Sequence, residues 1–226
     1  MRKTKAVFTL NIDGHYAPEI TDLTYPLIAS YAKRIGAELI QITDRKFHEW
    51  PVVYEKLQIH ELGREFEWSI YFDSDCVVHP DLFDLTEMIP RDTVVQNSKD
   101  LAGNRFTYDE YFRRDGRNIG ACNWFTVASR WCLDLWRPLD DLTPVNAFGR
   151  IHPITIERKS EIPPDHLIDD FVLSRNISRF GLKHLTFRKL LEDLGRNADE
   201  YFWHIYTLSN EAKVPAIKEV IQRWGI

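Results

Sequence analysis

Cysteine is scarce in this chain of 226 residues: Cys76, Cys122 and Cys132 are the only three, and no two have C-x-x-C spacing. An odd, scattered set excludes a zinc ribbon and a disulfide scaffold, and reads as buried reduced thiols of a cytoplasmic protein. Long apolar runs are missing too. No stretch approaches the roughly eighteen residues of a bilayer span. Behind the basic start Met1-Arg2-Lys3-Thr4-Lys5, the apolar stretch from Ala6 to Leu10 is broken at Asn11 and Asp13, too short for a signal-peptide core. Positive charge is not in excess, with 29 Lys and Arg against 34 Asp and Glu and a net charge of -5. Attraction to nucleic acid or an anionic membrane is therefore not a property of the whole molecule. The small clusters Arg113, Arg114 and Arg117, or Arg188 and Lys189, leave a nucleic-acid partner as a minor alternative to solvated faces. With ten glycines, the chain has no glycine-rich phosphate loop: Asn11-Ile12-Asp13-Gly14-His15 after the first strand is not one, which argues against a sugar nucleotidylyltransferase. Internal repeats and low-complexity tracts are absent.

What is plentiful is bulky apolar material. Hydrophobic residues make up 44% of the chain, with seven Trp, nine Tyr and thirteen Phe, enough for one large core and a single domain over 1–226. Ala6 to Ile12 reads as a strand. Leu27, Ile28, Tyr31, Ala32 and Ile35 keep helical spacing between Pro26, near the expected start, and Gly36, where a C-cap belongs. A strand over 38–42 follows, then a helix from Pro51 to Leu62 closed by Gly63, then the run Trp68 to Phe72, apolar but for Ser69 and without alternation, a strand covered on both faces. This alternation predicts an α/β domain with a largely parallel sheet flanked by helices. Further on, 93–96 and 121–128 read as strands. Arg130 to Leu142 and His166 to Phe180 read as helices, the second capped by Asp165 and stopped by Gly181. Asp140 to Pro164, with four prolines, reads as a long functional loop, and a last helix with the stripe Ile217, Val220, Ile221, Trp224 starts at Pro215.

The most informative residues are Asp73-Ser74-Asp75, directly after the buried strand. In open α/β sheets the ligand crevice lies beyond the carboxyl ends of the strands. Two carboxylates this close raise each other's pKa unless a cation is present, and an oxygen-rich set suits Mg²⁺ or Mn²⁺. An isolated D-x-D can also simply turn the chain and cap the next helix.

The segment from Ile70 to Leu85, which carries Asp73-Ser74-Asp75, resembles the D-x-D region of GT-A-fold glycosyltransferases, closest to the glycogenin and lipopolysaccharide-galactosyltransferase group and the fungal galactosyl- and mannosyltransferases. Four further segments resemble motifs of that group. Tyr54-Glu55-Lys56-Leu57 is similar to its lysine-bearing helix, and Arg117-Asn118-Ile119-Gly120-Ala121 to its F-N-x-G strand, with Arg117 replacing the aromatic. Asp169-Asp170-Phe171-Val172-Leu173 is similar to its D-Q-x-x-L-N helix start, and Phe202-Trp203-His204 to the segment supplying a histidine metal ligand, without the Gly and Lys-Pro-Trp that normally follow. The resemblance implies a GT-A domain whose nucleotide-sugar half is 1–98 and whose acceptor half is 99–226. It implies a metal held by Asp73, Asp75 and His204, a donor contacted by Lys56 and Asn118, and catalytic work by Asp169 and Asp170.

Thr9, Asn11 and Asp13 at the exit of the first strand sit where that family binds base and ribose, although such residues also form ordinary turns. Tyr16 and Thr43-Asp44-Arg45 are further candidates near the nucleotide. The implied donor is a UDP-linked sugar, glucose or galactose first. The acceptor is open between a glycan, a lipid-linked glycan, a protein and a nucleic acid, and the resemblance leans towards retention of configuration. Two readings compete. Asp73 and Asp75 also resemble the first motif of haloacid-dehalogenase-type phosphatases, with Asp169 and Asp170 as magnesium ligands, and a nucleotide-sugar-binding protein without turnover needs only the metal site.

Overall fold

A computed structural model describes residues 3–14, 17–98, 122–151, 154–155, 161–204 and 208–226. In chain order the elements are β1 (Lys3–Leu10), α1 (Pro18–Arg34), β2 (Glu38–Ile42), α2 (Ile59–Leu62), β3 (Phe66–Phe72), β4 (Val77–Val78), β5 (Thr93–Ser98) and β6 (Cys122–Ser129). They continue with α3 (Pro144–Phe148), β7 (Ile154–Thr155), β8 (Glu161–Ile162), α4 (Ile168–Arg179), β9 (Lys183–Thr186), α5 (Phe187–Asp193), β10 (Phe202–Trp203) and α6 (Asn210–Trp224). Six strands form one mixed sheet in the order β2-β1-β3-β6-β5-β9. The pairs β1/β2, β1/β3 and β5/β9 are parallel, whereas β6 runs antiparallel to both β3 and β5. Strands from either side of residue 98 thus share a single sheet.

Alternation along the strands fills both faces of the sheet. Phe8, Tyr71, Val94 and Ala128 point to one side, where they meet Leu57, Trp136 and the buried face of α4 through Phe171 and Val172. Val7, Ile70, Phe72, Val95, Phe125 and Val127 point to the other, against Ile28, Tyr31 and Ala32 of α1 and Phe187 and Leu191 of α5. A small third cluster joins Ile20 of α1 to Val77 and to Ile217 and Val220 of α6. The near-continuous burial of β3 is explained by this two-sided cover.

Several boundaries differ from the sequence expectation, each for a local reason. Helix α1 starts at Pro18, and Pro26 lies inside it, because Ile20, Thr21 and Thr24 extend the same buried face upstream. The stretch from Pro51 forms a 3₁₀ helix, Val52–Gln58, before its single α turn. Gly63 there has φ -70°; a Cβ on it would lie 2.8 Å from Ser69 Oγ, so the glycine permits close packing and is not a left-handed cap. The helix expected over Arg130 to Leu142 stops as a 3₁₀ segment at Trp136. Arg137 precedes Pro138 and is extended, and the Asn176 amide donates to the carbonyls of Leu135 and Arg137 at 2.9 and 2.8 Å in place of further helical bonds. Asp165 does not cap α4, whose first turn carries Asp169 and Asp170, while Gly181 follows the helix with φ 62° as a stop requires. Helix α6 begins at Asn210, where Ser209 Oγ accepts from the Ala212 N–H, with Pro215 well inside. The loop expected from Asp140 to Pro164 contains α3 and the paired β7 and β8. No helix among the described residues is long and apolar enough to cross a membrane.

Candidate functional site

The carboxyl end of β3 is the centre of the site. The Asp73 N–H donates to the Trp124 carbonyl at 2.8 Å, and the Cys76 N–H closes a turn on the Asp73 carbonyl at 3.0 Å. On the α1 side, Thr24 Oγ1 donates to the Ser74 carbonyl, so both flanking elements fix the D-x-D backbone. The two carboxylates diverge and have different partners.

Asp73 Oδ1 accepts from Tyr71 Oη at 2.6 Å and faces Lys56 Nζ at 2.8 Å. The same ammonium lies 2.5 Å from Asp169 Oδ2 and 5.2 Å from the centroid of the Tyr71 ring. Lys56, only 3% exposed, therefore bridges the D-x-D turn to the first turn of α4. Burial by itself would lower its pKa, but Asp169 and then Asp73 outweigh that effect and hold it well above the ordinary lysine value. The Tyr71 hydroxyl, raised by burial and by the Asp73 charge, stays protonated and donates. The lysine is delivered by the Val52–Gln58 segment, which its neighbour Glu55 anchors. Glu55 is fully buried and accepts from Arg45 Nε and the Phe47 N–H at 2.9 Å, the Lys46 N–H at 3.0 Å and Gln58 Nε2 at 2.8 Å.

Asp75 Oδ1 lies 3.2 Å from His204 Nε2, and its Oδ2 accepts from Lys213 Nζ in the first turn of α6. Burial would raise the Asp75 pKa, but the His204 imidazole and the Lys213 ammonium reverse this and hold it well below the usual carboxylate range. The His204 ring stacks on Trp124 of β6, with centroids 5.0 Å apart and planes 18° from parallel, and its Nδ1 is buried without a hydrogen bond. Ring orientation is thus set by stacking, with β10 pairing to β4 placing the residue beside the turn.

Oxygen and nitrogen atoms of Asp73, Asp75 and His204 lie within 4.8 Å of one another. Two carboxylates and an imidazole are donors that suit Mn²⁺ or Mg²⁺. The 3.2 Å between His204 Nε2 and Asp75 Oδ1 matches adjacent ligands on an ion with bonds of about 2.1 Å. These residues fit a divalent cation.

Asp170 accepts the Asn123 N–H at 2.8 Å, and Asn123 Nδ2 donates to the Asp169 carbonyl at 3.3 Å, so the start of β6 locks the first turn of α4 against the site. Desolvation, then the adjacent Asp169 charge, push the Asp170 pKa well above the usual carboxylate range. At the exit of β1, Thr9 is 1% exposed with Oγ1 unpartnered, and it lines a small cleft with Thr21, Tyr25, Gln41 and Ser74. The N–H groups of Asn11 and Asp13 donate to the carbonyls of Ile42 and Thr43 at 2.9 Å, tying the exits of β1 and β2 together, and Asp13 takes φ 58° in that turn. Arg45 is committed to Glu55 and to the carbonyls of Phe47 and Trp50, so it holds its own loop. Asn118, Tyr16 and the Arg113, Arg114 and Arg117 cluster lie outside the described residues.

Four contributors escaped the sequence reading: Tyr71, Asn123, Trp124 and Lys213. Tyr71 was hidden inside the core run of β3, and Asn123 and Trp124 inside the strand beginning β6. Lys213 carried one detectable signal. It stands on the same helical stripe as the buried Ile217 and Val220, at a position where an apolar residue is expected.

Comparison with known proteins bears on the fold. No protein-family model and no curated protein sequence matches the chain. Among solved structures, a glycosyltransferase involved in glycosylation of the major capsid of the virus PBCV-1 is 11% identical, with a TM-score of 0.53 over 96% of this chain and 99% of that one. A Drosophila β-1,4-galactosyltransferase 7 in complex with manganese, UDP-Gal and xylobiose is 11% identical, with a TM-score of 0.44 over 90% of this chain and 71% of that one. The galactosyltransferase LgtC, solved with donor and acceptor sugar analogues, is 14% identical, with a TM-score of 0.43 over 81% and 74%. The near full-length likeness to the PBCV-1 protein shows that the chain shares the α/β fold of GT-A glycosyltransferases, and Asp73 and Asp75 follow β3 directly as a D-x-D pair that could hold a cation.

Proposed function

We propose that the chain is a metal-dependent glycosyltransferase that moves a hexose, glucose or galactose, from a UDP-linked donor to an acceptor glycan or glycoconjugate with retention of configuration. The observation that carries this reading is the convergence of Asp73, Asp75 and His204 at the carboxyl end of β3, backed by two buried lysines. A nucleotide diphosphate leaves with developing negative charge, so the site must concentrate positive charge there. A divalent cation on Asp73, Asp75 and His204 supplies Lewis acidity to that leaving group. Lys56 pairs with both Asp73 and Asp169 and holds them in register, and Tyr71 fixes the Asp73 rotamer. Thr9, Asn11 and Asp13 are proposed to read the base and ribose, Lys56 and Asn118 to contact the donor, and Asp169 and Asp170 to act on the sugar or acceptor. The halves 1–98 and 99–226 are read as donor and acceptor sides of one domain. Retention rests on the sequence resemblance to the glycogenin group. The fold likeness to a glycosyltransferase favours this reading over a phosphatase.

A screen of nucleotide-sugars for slow, metal-dependent hydrolysis tests the reading without the acceptor. Release of UDP from UDP-glucose or UDP-galactose with Mn²⁺ is expected. Turnover of a guanosine or cytidine sugar alone would refute the donor assignment, and donor binding without any turnover would favour a binding protein.

The two aspartates of α4 should separate on substitution. Asp169→Asn is expected to lower transfer by about 100-fold, much more than it lowers donor affinity, because Asp169 is proposed to act on the sugar or acceptor and reaches Asp73 only through Lys56. Asp170→Asn should act on stability. A folded-state pKa raised above the unfolded value of about 3.9 contributes stability that is present at low pH and lost as pH rises through the folded pKa. Asparagine mimics the protonated acid, so the variant should gain urea resistance over wild type at pH 8 and lose that advantage near pH 4. Wild-type transfer rates in both variants would reduce the pair to helix-end charges.

A further inference from the structure

The two carboxylates of the D-x-D are not equally available to a cation. Asp73 has its contacts on Oδ1, and among the described residues Oδ2 has no partner. Asp75 is engaged on both oxygens, Oδ1 by His204 and Oδ2 by Lys213. The lysine is an unusual one. It is buried, shares the stripe of Ile217 and Val220 that packs towards α1, and lies in the first turn of α6, where the helix dipole disfavours a cation. Solubility does not explain a charge there, since Lys218, one turn on, already faces solvent. A buried ammonium persists only when a carboxylate compensates it, and Asp75 is the partner it reaches.

We propose that Lys213 is an internal counter-ion of the metal site, compensating Asp75 at Oδ2 until a divalent cation bound at Oδ1 beside His204 repels it, so that metal affinity is set by competition of two positive charges for one carboxylate. The inference rests on the metal reading of Asp73, Asp75 and His204 and adds a residue that restrains binding. It follows that the protein keeps Asp75 charged and ordered without metal, and that ion binding frees an ammonium beside the D-x-D turn. The displaced amine becomes available to an anionic ligand at the same place.

Titration of free Mn²⁺, followed by loss of its electron paramagnetic resonance signal on binding, tests this in the full chain without nucleotide. Lys213→Met should bind Mn²⁺ at least ten-fold more tightly than wild type, and Lys213→Arg, which keeps the charge, should not. Equal or weaker binding by Lys213→Met, with wild type still binding, would overturn the counter-ion role and leave the metal site standing. No binding by either protein would overturn both. Should Lys213→Met fold poorly, the wild type answers by amine labelling and mass spectrometry. Lys213 should react slowly without metal and at least five-fold faster at saturating Mn²⁺, with exposed Lys218 constant as internal reference. An unchanged Lys213 rate in metal-loaded protein would overturn the proposal.

Discussion

Asp75→Asn is expected to fold and to lose nucleotide-sugar affinity by about 100-fold in the presence of Mn²⁺, a change of roughly 2.7 kcal/mol. The substitution keeps the shape and an acceptor for Lys213 but removes the charge that is proposed to hold the metal together with His204. Interactions with a charged group are worth about 1.5–3 kcal/mol net, and here the lost carboxylate is both a proposed ligand and a partner of His204, whose ring Trp124 orients. The expected signature is loss of the metal-dependent part of donor binding, with any metal-independent part unchanged. Calorimetry on the variant with and without chelator reads the two parts separately. Undiminished, chelator-sensitive affinity would remove Asp75 from the metal site.

Lys56→Met should be the most destabilising single change at the site. Removing one partner of a buried ion pair costs about 3–5 kcal/mol, and Lys56 serves two partners. They will not suffer equally. The Asp73 side chain is 23% exposed and can be hydrated once the ammonium is gone, whereas that of Asp169 is 6% exposed and cannot. Adding Asp169→Asn to Lys56→Met should therefore recover most of the lost stability, and adding Asp73→Asn should recover little. Urea unfolding of the two double variants measures this. Equal rescue would mean that Lys56 is held by Asp73 as firmly as by Asp169, and a loss below about 1 kcal/mol would mark a surface-type pair. Donor binding should fall in Lys56→Met and stay low in the rescued variant, which separates the structural role from the functional one.

The legibility of this chain in its sequence depended on how local each signal was. Strand β3 is readable because the largely apolar run from Trp68 to Phe72 lies within one element, and the D-x-D because the functional pair follows it directly. Lys56 and His204 emerged only through resemblance, and the structure brings both to the D-x-D from segments far apart in sequence. Lys213 carries only the weak signal of a charge on an apolar stripe, and its partner, 138 residues away, has no trace in the local sequence. The short strands β4, β9 and β10 were missed for a related reason: two to four residues hold too little periodicity, and tertiary pairing, not propensity, makes them strands. The helix expected beyond Trp136 failed because Pro138 and the Asn176 side chain override local helical spacing.

The central claim is that the D-x-D turn, with His204, binds a nucleotide-sugar through a divalent cation. Calorimetric titration of the wild-type chain with UDP-galactose and UDP-glucose, first with Mn²⁺ and then with excess chelator, addresses it most directly. Saturable binding of at least one of them is expected with metal, and at least ten-fold weaker binding without it. Affinity that is the same in both conditions, or absent in both while another nucleotide binds, would contradict it.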